Sequence, residues 1–108
     1  MPHAELKFSS DLDIDAEAIL EEIDTIIRRH DDGSGACKGR AYPAQRFHRS
    51  HCAVRVTLLR KPHRDEAFCT ALLEEIESRI SKRITQPCAF TVELDFFSPF
   101  FTARDINS

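Results

Sequence analysis

The chain has 108 residues and a mass of 12.3 kDa, which predicts one compact domain over residues 1–108. Its composition, 42% hydrophobic and 31% charged, is typical of a globular protein and excludes a disordered one. No apolar run approaches the roughly 20 residues of a membrane helix, and the N-terminus lacks a signal-peptide pattern, so we expect a cytoplasmic protein without a membrane partner.

The first half of the chain predicts a strand, a helix and a second strand. Ala4–Phe8 alternates apolar and polar residues, as a half-buried strand does. Asp11–Asp15 offers helix-capping side chains, and isoleucines at helical spacing follow as far as about His30. Cys37–Phe47 is predicted to be extended, with an edge position or a bend at Pro43.

The second half predicts the same three elements. Ala53–Leu59 is rich in β-branched residues and indicates a buried strand. Arg64 to about Ile84 has apolar residues at helical spacing, and Pro87 ends that segment. Phe90–Phe96 alternates strictly as a last strand, before a tail at Phe97–Ser108 without a clear period.

The two predicted helices share a similar sequence. Residues 18–24 (AILEEID) resemble residues 71–77 (ALLEEIE) at an offset of 53, which predicts a repeated strand-helix-strand unit. Two right-handed βαβ units give an α+β fold, a four-stranded sheet with two helices on one face.

The second face of this sheet has no helix to cover it. Phe8, Val54, Val56 and Phe90–Phe96 are too apolar for a face in contact with water, so we expect other copies of the chain to bury part of it in a closed homo-oligomer.

Positive charge is concentrated in the middle of the chain. The net charge is −3, yet residues 36–64 contain eight Lys or Arg and no Asp or Glu. A cationic segment within an acidic protein predicts a small anionic ligand, because clustered cations concentrate anions.

Pro2 is a candidate catalytic residue. Methionine is commonly removed before a small residue, which would leave a secondary amine at the start of the first strand. An α-amino group titrates at about 7.7 to 8.0, and burial or nearby cations lower its pKa, so such an amine can act as a general base near pH 7.

The chain resembles the tautomerase superfamily, and within it the 5-carboxymethyl-2-hydroxymuconate isomerase family. The resemblance rests on Pro2-His3 opening a strand, Ser9 with Asp11-Leu12 after it, the doubled βαβ pattern, the cationic centre and Glu93-Leu94-Asp95 with Pro99 beyond. It implies a homotrimer in which Pro2 moves a proton within an unsaturated 2-hydroxy or 2-oxo acid, without metal or organic cofactor.

The resemblance also implies that basic residues bind the substrate carboxylates. Lys38 and Arg40 lie where the family has Gly-x-Arg-x-Arg, with Lys38 in place of the first Arg. Lysine keeps the charge but cannot form the planar two-point contact of arginine. Arg64 matches the family's other binding arginine, and we expect the N-terminus of the second helix to strengthen its attraction for a carboxylate.

Other classes of function are weaker alternatives. His48, His51 and Cys52 could ligate a metal, but no second cluster and no CxxC pair completes a site. A βαβ sheet with a basic centre could bind RNA, yet the strands lack the interleaved aromatic residues of RNA-recognition domains, so no nucleic acid partner is expected. The main alternative to an enzyme is a catalytically inactive trimer of the same fold that binds a small anionic molecule.

Overall fold

The computed structural model describes residues 1–107, and its elements follow the predicted order. They are β1 (His3–Ser9), α1 (Ala16–His30), β2 (Lys38–Ala44), β3 (His51–Leu58), α2 (Glu66–Ser81) and β4 (Ala89–Phe96). The strands form one sheet in the order β2-β1-β3-β4, in which β1 pairs parallel with β2, β3 parallel with β4, and β1 antiparallel with β3. The predicted α+β fold with two strand-helix-strand units is confirmed.

An aspartate caps the N-terminus of each helix. The Asp15 carboxylate accepts a hydrogen bond from the Ala18 N–H at 3.1 Å, and Asp65 accepts one from the Phe68 N–H at 2.9 Å. Because Asp65 is the cap, Arg64 lies in the preceding turn rather than at the predicted start of the helix. Neither helix combines the length and apolar character needed to cross a bilayer, within the residues described.

Both helices pack on the same face of the sheet, as predicted. The core between them is made of fully buried side chains, among them Leu6, Ile19, Ile23, Ile26, Ile27, Val54, Val56, Leu58, Leu72, Ile76 and Ile80. Ion pairs join α1 to α2 and to the turn that follows α2, with Arg29 to Glu75 at 2.6 Å and Arg83 to Glu22 at 2.5 Å.

The second face of the sheet is polar, and the prediction of an apolar face there is wrong. Phe8, Val54 and Val56 all pack into the helix-facing core, together with the apolar residues of β4. Since side chains alternate along a strand, the polar positions between them lie on the side without helices. That face carries His3, Glu5, Lys7, Arg40, Arg55, Glu93 and Asp95. The apolar content of the strands is satisfied within one chain and gives no reason for copies to assemble.

Candidate active site

Pro2 is held at the beginning of β1, between two other strands. Its side chain is fully buried, and its carbonyl accepts a hydrogen bond from the Lys38 N–H at 2.9 Å. On the other side, the antiparallel register sets His3 opposite Thr57. The chain before His3 therefore runs beside the residues that follow Thr57, at the end of β3.

Cations surround the amino group that precedes Pro2. The pKa of the Met1 amino group is lowered by burial first, and then by the charges of Lys61, Arg64 and Lys38. A Cys37 thiolate would raise the pKa of this amino group. Burial raises the pKa of the Cys37 thiol to about 11, however, so the thiol stays neutral at physiological pH. An amine at this end of β1 is thus shifted towards the neutral form that can accept a proton.

Lys38 and Arg40 lie on β2, beside the first residues of β1. The parallel register pairs Lys38 with His3 and Arg40 with Glu5. Arg40 Nη1 donates to Nδ1 of His3 at 3.1 Å, and Arg40 Nη2 is 3.7 Å from a Glu5 carboxylate oxygen. Burial, Arg40 and Lys38 lower the pKa of His3, so the ring is neutral and accepts this hydrogen bond. Lys38 is exposed and forms no ion pair within residues 1–107.

Arg64 is buried and already paired. Its side chain is 0% exposed, its Nε and Nη2 donate to Asp31 Oδ2 at 3.1 and 2.8 Å, and its Nη1 donates to the Leu59 carbonyl at 2.7 Å. His63 Nε2 lies 2.8 Å from the same carboxylate oxygen. The structure therefore places Arg64 near the start of β1 as a fixed positive charge whose donors are engaged by its own chain.

Three residues of this site were absent from the sequence-based prediction. They are Asp31, Cys37 and Lys61. The basic segment at residues 36–64 was the only available signal for Lys61. Nothing in the sequence links Asp31 to Arg64, because their contact joins two loops that only the fold brings together.

A small open cavity lies on the other side of His3. Its volume is about 290 Å³, and its lining is Leu59, Arg60, Phe97, Ser98, Pro99 and Phe101. The His3 and Phe97 rings meet edge to face with centroids 5.5 Å apart, and Phe97 stacks on Phe101 at 4.2 Å. An apolar wall with one cation beside the start of β1 suits a planar organic anion.

The donors needed for a metal centre are dispersed. Within residues 1–107, no group of three or more His, Cys, Asp or Glu side chains is arranged so that it could hold a metal ion. His48, His51 and Cys52, weighed above as ligands, are not part of such a group.

Searches by sequence find no relatives: no family model matches the chain, and no curated protein matches it significantly. The fold, by contrast, has clear counterparts. A 5-carboxymethyl-2-hydroxymuconate delta-isomerase superposes with a TM-score of 0.77 at 18% identity, covering 99% of this chain and 89% of that one. A 5-carboxymethyl-2-hydroxymuconate isomerase from Deinococcus radiodurans R1 gives 0.69 at 16% identity, with 98% and 90% covered. A wild-type fused 4-OT, a symmetric trimer, gives 0.67 at 12% identity, with 94% and 93% covered.

The chain has the tautomerase fold. The expectation drawn from Pro2-His3 and the doubled βαβ pattern is confirmed at the level of the fold. Within this tautomerase fold, Pro2 immediately precedes β1, the Lys38 N–H on β2 bonds to its carbonyl, Arg40 lies beside Glu5 further along β2, and Arg64 lies in the turn before α2.

Proposed function

We propose that the chain is a cofactor-independent isomerase or tautomerase of the 5-carboxymethyl-2-hydroxymuconate isomerase type. It moves a proton within an unsaturated 2-hydroxy or 2-oxo acid, with Pro2 as the general base after removal of Met1. The observation that carries this proposal is the position of Pro2, buried at the start of β1 and next to an amino group whose pKa is lowered by burial and by the charges of Lys61, Arg64 and Lys38. The likeness in fold to isomerases supports the same class of reaction.

The secondary amine of Pro2 would take a proton from the enol hydroxyl, or from the carbon next to it, and become a charged ammonium. The electron pair left behind shifts through the conjugated system, and the ammonium returns the proton to the carbon at its far end. No atom is gained or lost and there is no net oxidation or reduction, so the reaction needs no redox partner. The surrounding cations favour the neutral amine before the transfer and stabilise the dienolate that forms.

In this proposal the basic residues around Pro2 bind the substrate carboxylates. Lys38 is exposed beside His3 and free to contact a ligand, and Arg40 is exposed two residues further along β2. Arg64 was the third candidate. Its donors already bind Asp31 and Leu59, so in this proposal it contributes charge, and a direct contact with substrate would require one of these bonds to open.

We also propose that the chain works as a homotrimer. The polar, helix-free face gives no hydrophobic reason for assembly, so the support is the fused 4-OT, which shares the fold and is a symmetric trimer. Phe100 is 96% exposed and Ile106 75% exposed in the single chain, and apolar side chains this open are suited to contacts between copies. Sedimentation equilibrium tests the assembly, which should have three times the 12.3 kDa mass of one chain.

The reaction is tested by following the ketonisation of 2-hydroxymuconate by ultraviolet absorbance. Intact mass first establishes that Met1 is absent. In a chain that keeps Met1 the Pro2 nitrogen is an amide and cannot accept a proton. Loss of a general base costs about 10²- to 10⁴-fold, so kcat/KM of the Met1-bearing chain should be at least 100-fold lower than that of the Met1-free chain. Equal activity of the two chains across several unsaturated oxo acids would overturn the proposal.

A second function, binding of a small anion without catalysis, is favoured by one observation. Arg64, for which the resemblance implies a contact with the substrate carboxylate, is already hydrogen-bonded to Asp31. Calorimetric titration with 2-hydroxymuconate, together with no turnover by the Met1-free protein, would select this function.

A further inference from the structure

The turn that joins β3 to α2 brings an unpaired lysine to the start of β1. Thr57 is opposite His3, so the residues that follow β3 pass beside Met1 and Pro2. The turn is closed by a hydrogen bond from the Arg64 N–H to the Lys61 carbonyl at 3.0 Å. Both ends of this turn therefore lie next to each other, just beyond the end of β3 that pairs with the start of β1.

Arg64 and Lys61 differ in what they can still bind. The Arg64 guanidinium is fully buried and engaged by Asp31 and the Leu59 carbonyl. The Lys61 side chain is part-exposed and forms no ion pair within residues 1–107. A lysine ammonium has three donors on a flexible stem, and it is a strong partner for a carboxylate when no acidic side chain occupies it.

We propose that Lys61 binds the substrate carboxylate beside Pro2, in place of Arg64, and that Asp31 brings about this exchange by holding Arg64. The inference rests on the proposed function, since it names the residue that recognises the substrate in the same site. Lys61, in the turn after β3, and Lys38, on β2, then lie on opposite sides of Pro2, which suits a substrate with two carboxylates.

Lys61 is also placed to act on the base. The groups whose charges act on the pKa of the Met1 amino group are Lys61 and Arg64 from the turn before α2, Lys38 at the start of β2 and Cys37 just before it. Lys61 has the largest charge effect among them, and the Cys37 thiol is neutral because its pKa is about 11. The Pro2 amine of the Met1-free chain lies one residue further along, so we expect loss of the Lys61 charge to raise the pKa of that amine, whereas a lysine far from the amine would leave it unchanged.

The test compares Lys61→Met, Lys61→Arg and Lys82→Met with wild type, all free of Met1. Lys82 is an exposed lysine at the C-terminal end of α2 and serves as the matched control. A charged hydrogen bond contributes about 1.5 to 3 kcal/mol, so Lys61→Met should raise KM for 2-hydroxymuconate by about tenfold or more. The kcat/KM pH profile of Lys61→Met should move to higher pH, and Lys61→Arg should restore both properties.

The outcomes separate this inference from the proposed function. If Lys61→Met keeps the wild-type KM and pH profile while the Met1-bearing chain loses turnover, Lys61 does not bind substrate and the Pro2 mechanism stands. If the Met1-bearing chain retains full activity, the proposed function fails, and Lys61 is judged by calorimetric titration with adipate, a dicarboxylate that cannot react. A tenfold weaker adipate affinity in Lys61→Met supports the binding role, and equal affinity overturns it.

Discussion

Arg64 donates two hydrogen bonds to a single oxygen of Asp31, from Nε at 3.1 Å and from Nη2 at 2.8 Å. The Arg64 side chain is fully buried and the Asp31 side chain is 9% exposed, so the pair is shielded from water. The contact joins the C-cap of α1 to the turn before α2, the two segments that flank the candidate site. The same contact fixes the position of Arg64 and determines which cations remain available to a ligand.

Asp31→Asn should destabilise the fold strongly. Removal of one partner from a buried pair leaves an uncompensated charge, which costs about 3 kcal/mol or more of the free energy of unfolding. Urea denaturation measures the change. Asp32→Asn is the control, because Asp32 is exposed and its substitution should cost less than about 0.5 kcal/mol. Equal stability of the two variants would contradict a structural role for the pair.

The same pair makes stability depend on acid pH. Hydrogen bonds from His63 and Arg64 hold the pKa of Asp31 at about 2, below its ordinary 3.8. A carboxyl whose pKa is lower in the folded state stabilises the fold fully above the unfolded-state pKa, and this contribution is lost as the pH falls towards 2. We expect Asp31 to contribute about 1 to 2 kcal/mol above pH 4, lost progressively between pH 4 and pH 2. Urea midpoints over this range should fall less steeply in Asp31→Asn than in wild type.

Lys38→Arg should improve binding of the substrate. Arginine can contact a carboxylate through two parallel N–H groups, and lysine acts as a point charge. Position 38 is exposed and has no partner to lose among residues 1–107, so we expect KM to fall about fivefold, equivalent to about 1 kcal/mol, with little change in kcat. Lys82→Arg, far along α2, should leave KM unchanged. A higher KM in Lys38→Arg would show that the site is shaped for lysine.

Ser9→Ala should weaken the junction of β1 and β3. The Ser9 hydroxyl is completely buried, donates to the His51 carbonyl at 3.2 Å and accepts from the His51 N–H at 2.9 Å. Alanine leaves both backbone groups of His51 without these partners, which costs about 1 to 3 kcal/mol. Thermal unfolding measures the loss, and Ser10→Ala is the control because Ser10 is exposed. Identical midpoints for both variants would contradict this account.

The elements of the fold were predictable because each has a local signal. Alternation of apolar and polar residues predicted β1 and β4, and the helical spacing of isoleucines predicted α1. The ends of the elements were predicted less accurately. The second helix begins at Glu66 rather than Arg64, because Asp65 supplies the capping carboxylate, and it ends at Ser81 rather than near Ile84. The two units begin at residues 3 and 51, so they are 48 residues apart rather than the 53 of the helix repeat.

The face of the sheet and the candidate site were harder to predict, since both depend on contacts far apart in the chain. Phe8 and Val54 were assigned to an open face because the sequence shows that a strand alternates without showing which side meets the helices. Pro2 was named as a candidate from its position and from the resemblance, and its role remains a proposal. The pairing of Asp31 with Arg64 was not predicted, and the availability of Lys61 follows only once that pair is known.

Pro43 has a consequence for the outer edge of the sheet. β2 is an edge strand, and its Lys38 N–H points inwards to Pro2, so the backbone groups of Gly39, Ala41 and Pro43 point outwards. Proline has no N–H, which leaves two outward donors along this strand. A strand from another molecule can therefore form few hydrogen bonds with β2. This disfavours extension of the sheet at this edge, and with it aggregation.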